Sequence, residues 1–168
     1  TYTRGSNWPT INESGGADFP FQTDVLDNGK RVFVVYLDKI PGLLADLSGA
    51  ADPTVNNSLY IYPDSSRSTV NAPSIPSVPA DLAVSLKSGA DLSAFTNGFS
   101  LVTNLRTYVS ETLNNVPITA PTGAGLPAGE PFYPPISLFA PEKRFGDSLT
   151  FNHPINFNGQ VNSLKVSD

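Results

Sequence analysis

Apolar residues come in short bursts separated by polar stretches rich in proline and glycine. The clearest pair of bursts is FQTDVL and RVFVVYL, on either side of Asp27-Asn28-Gly29-Lys30. Asn-Gly between two apolar runs favours a type I′ turn, because both central residues must take positive φ. A hairpin with Asn28-Gly29 at its tip is therefore expected. On its second arm Val32, Val34 and Tyr36 face one way and Phe33, Val35 and Leu37 the other. Both faces are apolar, so this strand should be central and covered on both sides. Pro41 then suits a first helical turn, with Leu43, Leu44 and Leu47 on one face, so one or two turns of helix are expected over 41–47.

Further on, Leu59-Tyr60-Ile61-Tyr62 reads as a strand closed by Pro63-Asp64. Pro73, Pro76 and Pro79 recur at three-residue steps, a spacing that suits an extended polyproline-like segment. That segment is either a crossover between sheet elements or a ligand for an aromatic-lined groove. Leu82, Val84 and Leu86 alternate as a strand that turns at Ser88-Gly89.

Residues 91–116 admit two readings. Leu92, Phe95, Phe99, Val102, Leu105, Val109 and Leu113 recur at helical steps, while Phe99, Leu101, Thr103 and Leu105 alternate as in a strand. Gly98, Ser100, Thr103, Asn104, Thr107 and Thr112 are mediocre or poor helix formers, and 99–109 is rich in β-branched and aromatic types. Two short strands with a bend near Asn104 are expected, with a long amphipathic helix as the alternative. Residues 117–135 form a long Pro/Gly loop, a kind that in compact domains usually makes contacts or serves function. A short strand starts at 136–139, and 149–166 reads as strand, turn at Asn158-Gly159, strand. No internal repeat is distinct enough to mark a solenoid.

The expected fold is mostly β: an antiparallel, sandwich-like sheet with one short helix and long Pro/Gly-rich loops. Residues 1–20 read as an extended N-terminal arm with Trp8 as its large anchor, and 21–168 as a single β-rich domain.

Composition narrows the function classes. Charged residues make up 15% of the chain, against about 25% in typical domains. Serine, threonine and asparagine take their place, a surface style of exported and assembled β proteins. With no cysteine there is no disulfide frame, thiolate metal site or cysteine nucleophile. From the start at Thr1 a processed product or an excised fragment is expected. No apolar run approaches the length of a membrane span, so no transmembrane segment is expected. A net charge of −5 argues against a nucleic-acid partner, which needs a basic stripe.

Candidate chemistry is sparse. His153 is the single histidine, so zinc and copper sites are practically excluded. Asp24, Asp38, Glu130, Glu142 and Asp147 could pair for glycoside hydrolysis, but no spacing marks two of them. Glu142, Lys143, Arg144 and Asp147 read instead as an exposed ion-pair cluster. Calcium through Asp52, Asn56, Asn57 or Asp64 fits no EF-hand spacing, and Asn12 and Asn56 each open a glycosylation sequon. No catalytic residue, metal ligand or cofactor site is expected, and the chain does not read as an enzyme.

The expected function is therefore structural. The chain reads as a self-assembling subunit of an exported or surface assembly, such as an extracellular filament, surface layer or virion, whose partners are copies of itself or other subunits. The candidate intermolecular contacts are Trp8 on the arm and Phe132, Tyr133 and Ile136 on a proline-stiffened tip. The alternative is a carbohydrate-binding β-sandwich module, with Trp8, Tyr60, Tyr62, Tyr108 and Tyr133 as its sugar-stacking platform and a glycan as its partner.

Overall fold

Nine strands arise where the sequence alternates, and the chain lays them down in two sheets by turns. The computed structural model describes residues 19–26, 29–46, 53–54, 57–62, 82–146 and 155–163. The strands are β1 (Phe21–Val25), β2 (Arg31–Tyr36), β3 (Ser58–Ile61), β4 (Ala83–Lys87), β5 (Phe99–Thr103), β6 (Arg106–Val109), β7 (Ile136–Ala140), β8 (Lys143–Phe145) and β9 (Gln160–Ser163). One short helix, α1 (Ile40–Asp46), follows a 3-10 turn at Leu37–Lys39. It lies where the Pro41 signal placed it.

One sheet has the order β1-β2-β4-β6-β8 and the other β3-β5-β7-β9. From β2 onward, successive strands alternate between the sheets, so neighbours within a sheet come from successive turns of the chain. They therefore run the same way: β2, β4, β6 and β8 pair in parallel, as do β3, β5, β7 and β9. A third parallel contact links Gly89 to Leu113 and Leu113 to Phe157. The expected antiparallel sandwich is thus corrected to a strand-rich parallel solenoid, with β1–β2 as its antiparallel strand pair.

Residues repeat by row rather than by sequence. Leu59, Leu101 and Leu138 share one register row with Val161, and Val35, Leu86 and Val109 share another. The side chains of Leu59, Leu101, Leu138, Val35, Leu86 and Val109 enter the core between the sheets with Phe95, Phe99, Leu105, Leu113 and Ile136. Leu101 and Leu138 are fully buried, each worth about 1.5–3 kcal/mol of transfer free energy.

The opposite face of the β2 sheet is covered too. Val32, Val34, Ala83 and Tyr108 form a second buried cluster with Leu26. Burial on both faces is the habit of parallel sheets, and β2 has the two-faced apolar pattern that requires it.

The hairpin forms with a different closure. Leu26 N–H donates to the Lys30 carbonyl at 2.9 Å, and Gly29 N–H to the Leu26 carbonyl at 2.8 Å. The closure encloses three residues, with Gly29 at φ 77°, so the two-residue type I′ turn is corrected. A three-residue loop with a left-handed glycine matches the twist of its strands equally well.

Residues 91–116 hold two strands, as the alternation requires. Phe99, Leu101, Thr103 and Leu105 all point inward and are buried. Thr103 Oγ1 accepts the Leu105 amide at 3.1 Å and shapes the corner between the sheets. The helix-like spacing upstream comes from two consecutive tight turns, Phe95 N–H to Leu92 O and Gly98 N–H to Phe95 O.

Candidate functional site

The long Pro/Gly loop leaves the solenoid between β6 and β7. Its residues 119–131 are exposed throughout. It is pinched at the base, where Ile118 N–H donates to the Phe132 carbonyl at 2.7 Å. Beyond that pinch the chain forms one wall of an open groove of about 550 Å³. Phe132, Tyr133 and Pro135 stand on this wall, and Phe157, Asn158 and Gly159 stand opposite. Neither wall carries a charged side chain.

Both walls are fixed from below by an asparagine. Asn114 is fully buried and holds φ 58°, a left-handed conformation that asparagine tolerates better than most residues. Its Nδ2 donates to the Pro134 carbonyl at 2.8 Å and to the Asn158 carbonyl at 2.7 Å. Asn158 Nδ2 returns a bond to the Asn114 carbonyl at 2.9 Å. Asn114 N–H donates in turn to Gly89 O on the preceding turn of the chain. Asn114 Oδ1 is buried with no partner. A second clamp lies at Gly98, with φ 94°, where an added Cβ would stand 2.5 Å from the Pro135 carbonyl oxygen. That carbonyl accepts the Phe99 amide at 2.8 Å.

The proline-stiffened tip is therefore split between surface and core. Phe132 and Tyr133 are half-buried, whereas Ile136 is 2% exposed and belongs to the core cluster. Trp8 lies outside the described residues, as do His153, Asp147, Asn12, Asn56, Asp52 and Asp64. Of the calcium candidates, Asn57 is described, and its carbonyl accepts the Ser100 amide at 2.8 Å.

The charge cluster after β7 is corrected from an exposed patch to a partly buried network. Arg106, 2% exposed, places Nε 2.6 Å from Glu142 Oε2, and Arg144 Nε lies 2.5 Å from Glu142 Oε1. Burial pushes the Glu142 carboxyl up, but the bonds and charges of the two arginines outweigh it and hold the group below its ordinary value. Lys143 turns the other way, donating to the Ala140 carbonyl at 2.7 Å, and burial lowers its ammonium below the usual range. The remaining carboxylate candidates are scattered: Asp24 on β1, Asp38 in the 3-10 turn and Glu130 in the exposed loop. Among the described residues no group of three or more acidic or histidine side chains gathers as a metal site. No helix among them is long and apolar enough to cross a membrane.

Tyr60 and Tyr62 are about 70% exposed. Tyr60 shares a row on the outer face of its sheet with Val102 and Phe139. Tyr108, by contrast, is buried, which removes it from the sugar-stacking set. The asparagine clamp, Arg106 and Phe157 were not foreseen from sequence. The signal was a matching pair of dipeptides, Leu113-Asn114 and Phe157-Asn158, each an apolar residue followed by asparagine.

No protein-family model, curated protein or solved structure matches the chain.

Proposed function

We propose that the chain is a structural, self-assembling subunit of an exported or surface assembly, such as an extracellular filament, surface layer or virion. One observation carries this reading: the ladders run in register from turn to turn and stop at β8 and β9 with no further strand beyond them among the described residues. A parallel strand at the end of a sheet presents a row of backbone donors and acceptors that another chain can pair with. Solenoids gain stability from each neighbour stacked on them. The exposed loop at 119–131 and the groove beside it offer a lateral contact in the same assembly, with Phe132 and Tyr133 as its apolar part. No step in this reading calls for catalysis or a cofactor.

The test is sedimentation velocity and electron microscopy of the full chain across a concentration series. Growing particles with a regular repeat are expected. A strict monomer at the highest concentration would remove the reading. Serine at both Phe132 and Tyr133 examines the lateral contact: a folded chain with shorter or absent assemblies is expected, and unchanged assembly excludes that contact.

A second reading, a carbohydrate-binding module, draws on Tyr60 and Tyr62, whose exposed rings stand two residues apart at β3. Aromatic faces of this kind stack on sugars. A glycan array with and without calcium separates the two readings, and no binding in either condition eliminates this one.

A further inference from the structure

We infer that the outer face of the β3-β5-β7-β9 sheet binds an uncharged, extended β-1,4-linked glycan, one sugar to each strand, along the row Tyr60–Val102–Phe139. The inference rests on the sugar-binding reading and names the linkage and the site within it. Tyr60, Val102 and Phe139 are register partners on three adjacent strands, so they repeat at the strand spacing of about 4.8 Å. Leu101 and Leu138, one residue before Val102 and Phe139, are fully buried, so alternation turns the row outward. Tyr60 is 71% exposed, and Val102 and Phe139 are half-buried. An extended β-1,4-linked chain is a flat ribbon that advances one sugar in nearly the same distance as one strand. It presents the same ring face at every second sugar. Tyr60 and Phe139, two strands and about 9–10 Å apart, are therefore placed to stack on alternate sugars, with Val102 beneath the sugar between them.

A second row supplies the polar half of the contact. Ser58, Ser100 and Ser137 are register partners on the same three strands. They lie two residues before the first row, hence on the same face and about 6–7 Å from it. Ser58 is exposed and the other two are half-buried, and their hydroxyls carry no hydrogen bond among the described residues. Each hydroxyl can donate and accept, as the hydroxyls at the edge of a stacked sugar require. Charge fits as well: the strands SLYI, FSLVT and ISLFA hold no charged residue, and a net charge of −5 disfavours an acidic polysaccharide.

The experiment is calorimetric titration of the full chain with cellohexaose and, separately, chitohexaose, which share the linkage and differ in the sugar. Saturable binding of at least one is expected. Its disaccharide, which reaches only two strands, should bind at least about tenfold more weakly, and maltohexaose, whose α-linkages curl it off the row, should not bind. Tyr60→Ala, at an exposed position, should leave the unfolding midpoint unchanged and weaken binding about fivefold or more, whereas Tyr60→Phe keeps the ring and the affinity. Equal binding of hexamer and dimer, binding of maltohexaose, or unchanged affinity in Tyr60→Ala overturns the inference. Sugar binding that depends on Tyr62 and not on Tyr60 or Phe139 also overturns it, while leaving the sugar-binding reading standing. A glycan array with no binding at all removes both. Assemblies lost in Tyr60→Ala without any glycan binding would overturn it too and assign the face to a second copy of the chain.

Discussion

Replacing Asn114 tests how the solenoid's turns are tied together. Asn114→Ala removes both Nδ2 bonds, leaving the Pro134 and Asn158 carbonyls without the donor they have now. Each buried group left unpaired costs about 1–3 kcal/mol. Alanine at φ 58° adds about 1–2 kcal/mol of left-handed strain. The lost Oδ1 has no partner, so it contributes no bond to the sum. The expected destabilisation is about 3–8 kcal/mol, a large share of the total stability of a domain. Asn114→Gly separates the two terms, because glycine accepts the dihedral and still lacks the donors. It should recover about 1–2 kcal/mol relative to alanine and no more. Asn114→Asp should be the worst of the three, since it turns an acceptor toward two carbonyls. The assay is urea unfolding of dilute protein followed by tyrosine and tryptophan fluorescence, with the midpoint shift read at unchanged slope. A loss under about 1 kcal/mol for alanine would refute the clamp. Full recovery by glycine would assign the whole effect to backbone strain.

Three further outcomes follow from the same structure. Leu101→Ala, in the centre of the row Leu59–Leu101–Leu138, should cost about 2–5 kcal/mol, seen as a clear drop in the calorimetric midpoint; a shift near zero would mean that the row is not core. Gly98→Ala drives a Cβ against the Pro135 carbonyl at positive φ, so it should lower the urea unfolding midpoint, whereas an unchanged midpoint would show that the groove wall does not depend on this contact. Glu142, whose folded value is depressed by its arginines, contributes stability that is present above its unfolded value and lost as pH falls through the folded one. Glu142→Gln should therefore be less stable than the parent at pH 7, with the gap in urea midpoint closing on acidification toward pH 3; a gap independent of pH would show that the carboxylate charge is not what matters.

Individual strands were legible because alternation survives any pairing. β2, β3, β4 and the β5–β6 corner could be read from runs such as RVFVVYL and FSLVT. Their partners were not, since a strand's own pattern does not name the strand beside it. The steps from Val32 to Ala83, Ala83 to Arg106 and Thr107 to Lys143 are unequal. Loops of different length thus hide a repeat that is regular in space. One clue to parallel order was present in the two-faced apolar run of β2, but the adjacent Asn28-Gly29 pointed to an antiparallel neighbour, which β1 is. The groove was half legible: the prolines and aromatics at 131–135 stood out, while the opposite wall depends on Asn158, 44 residues from its clamp. The burial of Arg106 was hidden for a similar reason, because its carboxylate partner is 36 residues away.

The interior is not uniform from one end of the axis to the other. One row facing the core passes from Phe33 to Val84 to Thr107 to Lys143. Along it the side chains change from aromatic to aliphatic to hydroxyl to ammonium, and the Thr107 hydroxyl is buried with no partner. This row grows more polar along its length, while the rows through Leu86 and Leu101 stay apolar, so it holds the turns of the stack with decreasing grip. Its opening therefore has a direction: the β8–β9 turn parts first, the β6–β7 turn next, and the turn built on β2 last. Amide exchange should slow in that order from one end to the other, so the molecule unwinds like a spring released at one end.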